Sequence, residues 1–426
     1  MFMRVLIVDP DLSGHHAPYL RHLLCSLTDL KQELVVVTSV GASQMPQFGI
    51  HLQDVSSSVT WDESLAAAQR PSYRYVSQLF ANLRAALERH RPEHVWIPYC
   101  DPWTAYLGLR ALIARKVRWP AGVEIEGLLF RGQFAYTPVR WDKWLPHLLS
   151  RLLVPRANWD ILHFLDPIPF ETLRRAHPDR SDRIRLMPDP VESVPLVEPS
   201  LARSRLRIPV DGRFVSAIGV HFEGAGIESL LRAFREARLD ETNRLLLAGP
   251  MTEAVRHHFE DGYADLLRTG RIVTINRHLN LEEVALAVMA SDLVCVPRHR
   301  RIGSSSFVIR AAAAGRPVLT DDFGWTGWAV RRFGLGWTTD VHDTQKFADA
   351  LRDALERTAT ISVSQSAERF ARYHSAENFK AHWTARLRER LSLPADPNLI
   401  SWQWVLDEQG SAHPSLIDEY RYRRNG

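Results

Sequence analysis

Two doubly wound α/β sheets in one chain are what this sequence predicts, and three observations carry the prediction. Short apolar runs alternate with stretches of helical spacing from Arg4 to about Leu391. The alternation breaks once, at MPDPVESVPLVEPSLARSR (Met187–Arg205), where four prolines without periodicity read as a linker. It then restarts, and 426 residues suffice for two or three domains of roughly 100–200 residues each.

Taken in order, Arg4–Val8 is a continuous apolar run, as in a strand covered on both faces. A turn-rich loop then opens a helix near Pro18, with Tyr19, Leu20, Leu23, Leu24 and Leu27 at helical spacing. Strands Glu33–Thr38, His94–Pro98, Gly122–Glu126 and Ile161–Leu165 alternate with helices Tyr73–His90, Trp103–Arg115 and about Val139–Val154. After the proline-rich break come strands Phe214–Ile218, Arg244–Ala248, Arg271–Ile275, Leu293–Val296 and Pro317–Leu319. Helices Gly226–Ala237, Thr252–Thr269, Leu281–Ala290 and Phe307–Ala314 lie between them, and a long helical region, Asp343–Leu391, follows. Repeated strand and helix at this spacing make a parallel sheet with helices on both faces. Ligands of such sheets sit beyond the strand C-termini, so a cleft between two of them is where function is expected.

Composition narrows the classes. Hydrophobic content of 45% with 24% charged residues is that of a globular chain with a full core. A net charge of +4 and a pI near 9.0 lean mildly toward anionic ligands or surfaces. Cys25, Cys100 and Cys295, none in CxxC spacing, read as buried free thiols in a reducing, cytoplasmic setting. The N-terminus MFMRVLIVDP lacks the apolar length and cleavage site of a signal peptide, and no run of about 18 apolar residues suggests a membrane span. No HExxH occurs, and no metal or other cofactor is expected. The basic residues fit no nucleic-acid module, so no nucleic-acid partner is expected either.

The stretch VPRHRRIGSSSFVIRAAAAGRPVL (Val296–Leu319) is the densest in chemistry. Arg298, His299, Arg300, Arg301 and Arg310 bracket the turn Gly303-Ser304-Ser305-Ser306, which opens a helix. Free amides and the positive dipole end of a helix N-terminus suit an anion, especially a phosphate.

With AIGVHFEGAGIESLLRAF, RLLLAGP, RIVTINRHLNLEEVALAVMASDLVCVP and IRLMPDPVE, that stretch resembles the GT-B glycosyltransferases of the retaining, glycogen-synthase-like kind (family 4-like). The resemblance implies two Rossmann-like domains facing a cleft. They are an acceptor domain over residues 1–190, a linker over 191–209, and a nucleotide-sugar donor domain over 210–365, with a C-terminal helix and tail, 366–426, packing back on the first domain. It implies sugar transfer of the hexosyltransferase type from a nucleotide sugar to a glycan, polysaccharide or lipid-linked acceptor. Gly219, Gly249, Arg298, Arg300, Arg301, Gly303, Ser304, Ser305, Ser306 and Arg310 would hold the donor. Two departures stand out. The family's paired glutamates are Ile302 and Arg310 here, and the Arg/Lys pair that neutralises the donor diphosphate is Val220 and Ala225. The arginines around the turn would then take the leaving charge. The same departures raise an alternative, a catalytically degenerate GT-B-like binding protein of a glycan-synthesis complex. A sugar-nucleotide epimerase is a third reading.

In the first domain, Gly14 permits close approach of an acceptor, and His15 or His16 could hydrogen-bond it or act as base; equally, the histidines could cap the next helix. Glu126, at the end of the strand VEIE, is the second catalytic candidate, with a salt bridge to Arg131 as its structural alternative. Asp101 reads as a helix cap. The stretch Phe130–Trp159 combines arginines with Trp141, Trp144 and four leucines. It fits either a peripheral contact with an anionic membrane or a helix packed on the sheet.

Overall fold

The computed structural model describes residues 3–13, 16–69, 72–113, 117–138, 144–193, 195–358 and 364–407. The chain divides into two compact units, Met1–Pro188 with Ala376–Gly426, and Asp189–Ser375.

The first unit runs β1 (Arg4–Val8), α1 (His16–Thr28), β2 (Glu33–Ser39), α2 (Pro46–His51), β3 (Thr60–Leu65), α3 (Tyr73–His90), β4 (His94–Ile97), α4 (Asp101–Leu112), β5 (Glu124–Leu129), α5 (Trp144–Leu153), β6 (Ile161–Phe164), α6 (Pro167–Ala176) and β7 (Ile184–Leu186). Among the described residues its sheet has seven parallel strands, in the order β3-β2-β1-β4-β5-β6-β7. The run RVLIV becomes a central strand because both its faces are covered. Val5 to Val8 are wholly buried, between β2 and β4.

The second unit runs α7 (Pro199–Leu206), β8 (Arg213–Ile218), α8 (Ile227–Glu236), β9 (Asn243–Ala248), α9 (Glu253–Gly262), α10 (Ala264–Arg268), β10 (Ile272–Ile275), α11 (Leu281–Met289), β11 (Leu293–Val296), α12 (Ser306–Ala313), β12 (Val318–Asp321), α13 (Gly324–Phe333), β13 (Gly336–Thr339), α14 (Thr344–Arg357) and α15 (Gln365–Tyr373). Its described sheet is six-stranded and parallel, in the order β10-β9-β8-β11-β12-β13. The chain then returns to the first unit as α16 (Ala376–Arg390), followed by α17 (Gln403–Asp407). There Trp383 packs on Trp96 and His163, and Phe379, Trp383 and Leu387 join the core of β1 and α1.

Both sheets reverse direction beside their first strand, between β1 and β4 and between β8 and β11. At such a switch point the loops diverge to opposite faces and leave a crevice at the strand C-termini.

Several expectations change. The segment 191–209, expected as linker, carries α7, whose Arg203 is buried and bonds Ala290 O, Val210 O, Gly212 O and Asp292. Residues Thr252–Thr269 form two helices broken at Tyr263, and Asp343–Leu391 holds three helices among its described residues. Strand β5 starts at Glu124 and runs on to Leu129, because Gly127 has no Cβ to meet Cys100 Sγ at 2.8 Å. Cys25 is exposed, while Cys100 and Cys295 are buried. No helix of the described residues is long and apolar enough to cross a membrane.

Candidate functional site

In the first unit the switch point lies between the loops after β1 and β4. Asp9, directly after β1, is buried and takes His16 Nδ1 at 2.9 and 3.0 Å from its two carboxylate oxygens. The His16 ring lies edge-on against Tyr99, which follows β4, with centroids 4.8 Å apart. Burial works against the imidazolium, but the charge and hydrogen bond of Asp9 overcome it and raise His16 above the ordinary histidine value. Asp9 itself is raised by burial, with His16 partly offsetting the rise. Burial also pushes Tyr99 up to about 12. Asp9 thus favours the protonated form of His16 and fixes its Nδ1. Gly14 and His15 lie outside the described residues.

Two other carboxylates of this unit differ from expectation. Glu126 is wholly buried in the middle of β5, on the sheet face that α16 covers. It accepts from His163 Nε2 at 2.6 Å and faces His94 Nε2 at 3.4 Å, rather than pairing with Arg131. Burial opposes its charge, yet the His163 hydrogen bond and the nearby imidazoles hold its pKa below the usual carboxylate value. The expected catalytic Glu126 is thus corrected to a core carboxylate, out of reach of an acceptor. Asp101 is not a cap either. Cys100 occupies the N-cap, and the Asp101 carboxylate binds the amides of Phe130 and Arg131 at 2.9 and 2.8 Å, tying down the loop after β5.

Asp166 had no sequence signal. It caps α6 through Ile168 N, accepts from the Tyr136 hydroxyl, and is raised by burial to about 7.

In the second unit the switch point is closed by glycines. Gly219 ends β8 with φ +114, and a Cβ there would meet the Phe307 ring at 2.8 Å. Gly249 ends β9 with φ +134, and its Cβ would fall 2.0 Å from Gly219 O. Gly226, the N-cap of α8 at φ 87, would strike Pro297 O at 1.9 Å. The loops after β8, β9 and β11 are therefore pressed together, and α8 and α12 start from the first and the last of them. Those first turns carry amides with no carbonyl ahead of them. His221, in the β8 loop, is buried; burial lowers it to about 4, so it is neutral, and its Nε2 has no hydrogen-bond partner.

The arginines do not converge as expected. Arg298 lies over the Phe222 ring at 4.8 Å, toward the β8 loop. Arg300 adopts φ 46, gives its amide to Asp321 at 2.6 Å, and stacks on Phe323 beyond β12. Arg301 reaches Ser305 Oγ at 3.4 Å. Arg310 forms an ion pair with Glu192 at 2.7 Å, so its charge is already matched; it is corrected from donor ligand to a fastening of α12. Gly303 takes φ 92 to turn the chain, Ser304 is half-buried, the buried Ser305 is the N-cap of α12, and Ser306 is its first residue. Phe222, His221, Gly226 and Phe307 went unread as site residues, although the spacing of glycines in GVHFEGAG signalled a tight loop.

Among the described residues two groups have the composition of a cation site: His94 with Glu124 and Glu126, and His299 with Asp321 and Asp340. In the first, Arg386 and Arg390 already neutralise Glu124, at 2.9 and 3.2 Å. In the second, His299 Nδ1 stands 3.7 and 3.9 Å from the two aspartates, at the end of β12 and just past β13.

With this geometry in hand, residues 213–357 match the family described as Glycosyl transferases group 1. Curated relatives include the D-inositol 3-phosphate glycosyltransferases of Nocardia farcinica (36% identical over 117 residues, 25% of each chain) and of a Nocardioides species (30% over 177 residues, 38% of each). The chain thus spans about a quarter of the first of these relatives. Solved structures resemble it over most of its length. Sucrose-phosphate synthase from Thermosynechococcus elongatus superposes with TM-score 0.69 at 17% identity, covering 92% of this chain and 99% of that one. Anabaena HepE in complex with UDP and glucose gives 0.62 at 13%, with 92% and 99% covered. The fold is GT-B, two Rossmann-like units. Within it, residues 213–357 of the second unit are the part that is similar to Glycosyl transferases group 1.

Proposed function

We propose that the protein is a glycosyltransferase that takes a sugar from a nucleotide-sugar donor held by the second unit and passes it to a glycan, polysaccharide or lipid-linked acceptor at the first. The observation that carries this reading is the β8/β11 switch point. Three side-chain-free glycines there let the loops after β8, β9 and β11 pack against one another, so that the first turns of α8 and α12 and the Arg298 side chain belong to one compact loop cluster at the strand C-termini, the place such sheets bind ligands. The match of residues 213–357 to group 1 glycosyltransferases and the UDP complex of a GT-B neighbour support it.

On this reading the α8 and α12 amides and Arg298 stabilise the diphosphate as the sugar departs, and the orphaned His221 Nε2 meets a polar group of the donor. His16, fixed at Nδ1 by Asp9, orients the acceptor. Arg310 and Arg300 are directed elsewhere. The transfer assigns no step to a metal, so chelator is expected to leave the rate unchanged. The reaction belongs in the cytoplasm, where three free thiols are compatible with the redox poise.

Thermal-shift and calorimetric titration with UDP, GDP and their sugars tests the reading. One nucleotide is expected to stabilise the protein, and Arg298→Ala to weaken its binding roughly tenfold, about 1.4 kcal/mol. Arg310→Ala is expected to lower stability while sparing affinity. Binding of no nucleotide would favour instead a degenerate binding protein, the reading that Ile302 and the Glu192-paired Arg310 motivate.

A further inference from the structure

Helix α5 turns its apolar side outward. His147 and Leu153 face inward, the first with Nδ1 3.1 Å from Gln133 O. Leu145, Leu148, Leu149 and Leu152, at positions i, i+3, i+4 and i+7, are instead 65, 54, 44 and 37% exposed, and Trp144 is 46% exposed. Of the two readings open for this stretch, packing on the sheet does not account for Leu148, Leu149 and Leu152, while Leu153 is buried. The neighbouring helix extends the patch. Gly108 of α4 lies so close to α5 that a Cβ would sit 2.1 Å from Leu153 O, and at the end of α4 Leu112 and Ile113 are about half exposed.

Charge identifies the occupant. Among the described residues of α4, α5 and the turn after α5, positions 102–113 and 144–159 hold no aspartate or glutamate, and their arginines are Arg110, Arg151 and Arg156. Arg151 and Arg156 are exposed. An apolar stripe with exposed arginines on and just after its own helix, and no carboxylate on that helix, fits the headgroup region of an anionic bilayer, with leucines among the acyl chains and arginines at the phosphates. A second copy docking through the same face would set basic residues against basic residues. At ten residues, roughly 15 Å, α5 is far too short to span about 30 Å of hydrocarbon and would lie in the plane of the interface.

We propose that the α4/α5 face of the first unit is a docking surface for an anionic membrane. This stands apart from the transfer reaction, and its test does not depend on activity. The full chain is floated with vesicles of phosphatidylcholine alone and of phosphatidylcholine with phosphatidylglycerol, at low and high salt. The protein is expected to float with the anionic vesicles only, and less so at high salt. Leu145→Glu with Leu149→Glu is expected to cut the bound fraction at least tenfold without changing the thermal melt. Arg151→Glu, which leaves the leucines intact, is expected to weaken binding severalfold. Failure of the wild type to float with either vesicle, or equal flotation of the wild type and both variants, overturns the proposal. So does light scattering that finds a wild-type dimer which the leucine pair converts to monomer, because a second copy would then cover the face.

Discussion

A carboxyl group buried against Tyr136 shows how a single side chain sets a pH response. Asp166 titrates at about 7 in the folded chain because burial disfavours its charge, whereas an unfolded aspartate titrates at roughly 3.9. Between about pH 4 and pH 7 the folded state therefore holds the proton that the unfolded state has lost. Stability falls as pH rises through that window and levels off above it. Asp166→Asn keeps a capping oxygen for Ile168 N and removes the titration. Its stability relative to the wild type should rise by about 4 kcal/mol from pH 4 to pH 8, as read by chemical denaturation. Parallel stability curves would place the group elsewhere. Nothing in the local sequence announced this, because the rise comes from burial in the folded unit, only partly offset by the hydrogen bond from Tyr136, 30 positions away. Glu126 failed in the opposite direction. Its sequence neighbours fitted a strand end, but its partners His94, His163 and the covering Trp383 come from β4, β6 and α16.

Strands were mostly legible where both faces are buried; the edge strand β10 was still read from its apolar run, and the well-buried helix α13, rich in Gly and Trp, went unread. Central strands such as RVLIV and RLLLA announce themselves as apolar runs. The strands that went unread, β3 (TWDESL), β7 (IRL) and β13 (GWTT), are all sheet edges, paired on one side only and tolerant of polar residues. Helix α11 was legible as a helix, and its start is fixed by the capping box of Asn280 and Glu283. The glycine loop was visible, but its purpose was not, since the atom it avoids, Pro297 O, lies 71 residues further on. Gly226→Ala places a methyl group 1.9 Å from that carbonyl at φ +87, so backbone must move. We expect a loss of about 2 kcal/mol or more in thermal unfolding and the disappearance of nucleotide-induced stabilisation. Gly224→Ala, with nothing within 4 Å of its Cβ, should show a small stability loss from its φ of +80 alone and retain nucleotide binding.

At the scale of the molecule, the doubly wound plan was legible from alternation alone, while the boundaries were not. The proline-rich segment that reads as a linker holds a helix whose Arg203 is bonded into the second unit. The first unit is assembled from both ends of the chain, with α16 laying Trp383 on Trp96 and giving Arg386 and Arg390 to Glu124. That arrangement fixes a timetable for biosynthesis. A ribosome releases residues 189–375 as one uninterrupted piece, able to reach its native state on emergence. The piece made first must wait for the last helix before Trp96 and Glu126 are sealed from water. Stopping translation after Ser375 should leave the second unit resistant to brief proteolysis and the first unit readily cleaved, whereas adding back residues 376–407 should protect both. A first unit equally protected without them would show that it needs no closing helix. The N-terminal half would then be the longer-lived client of chaperones, although it is the earlier to be made.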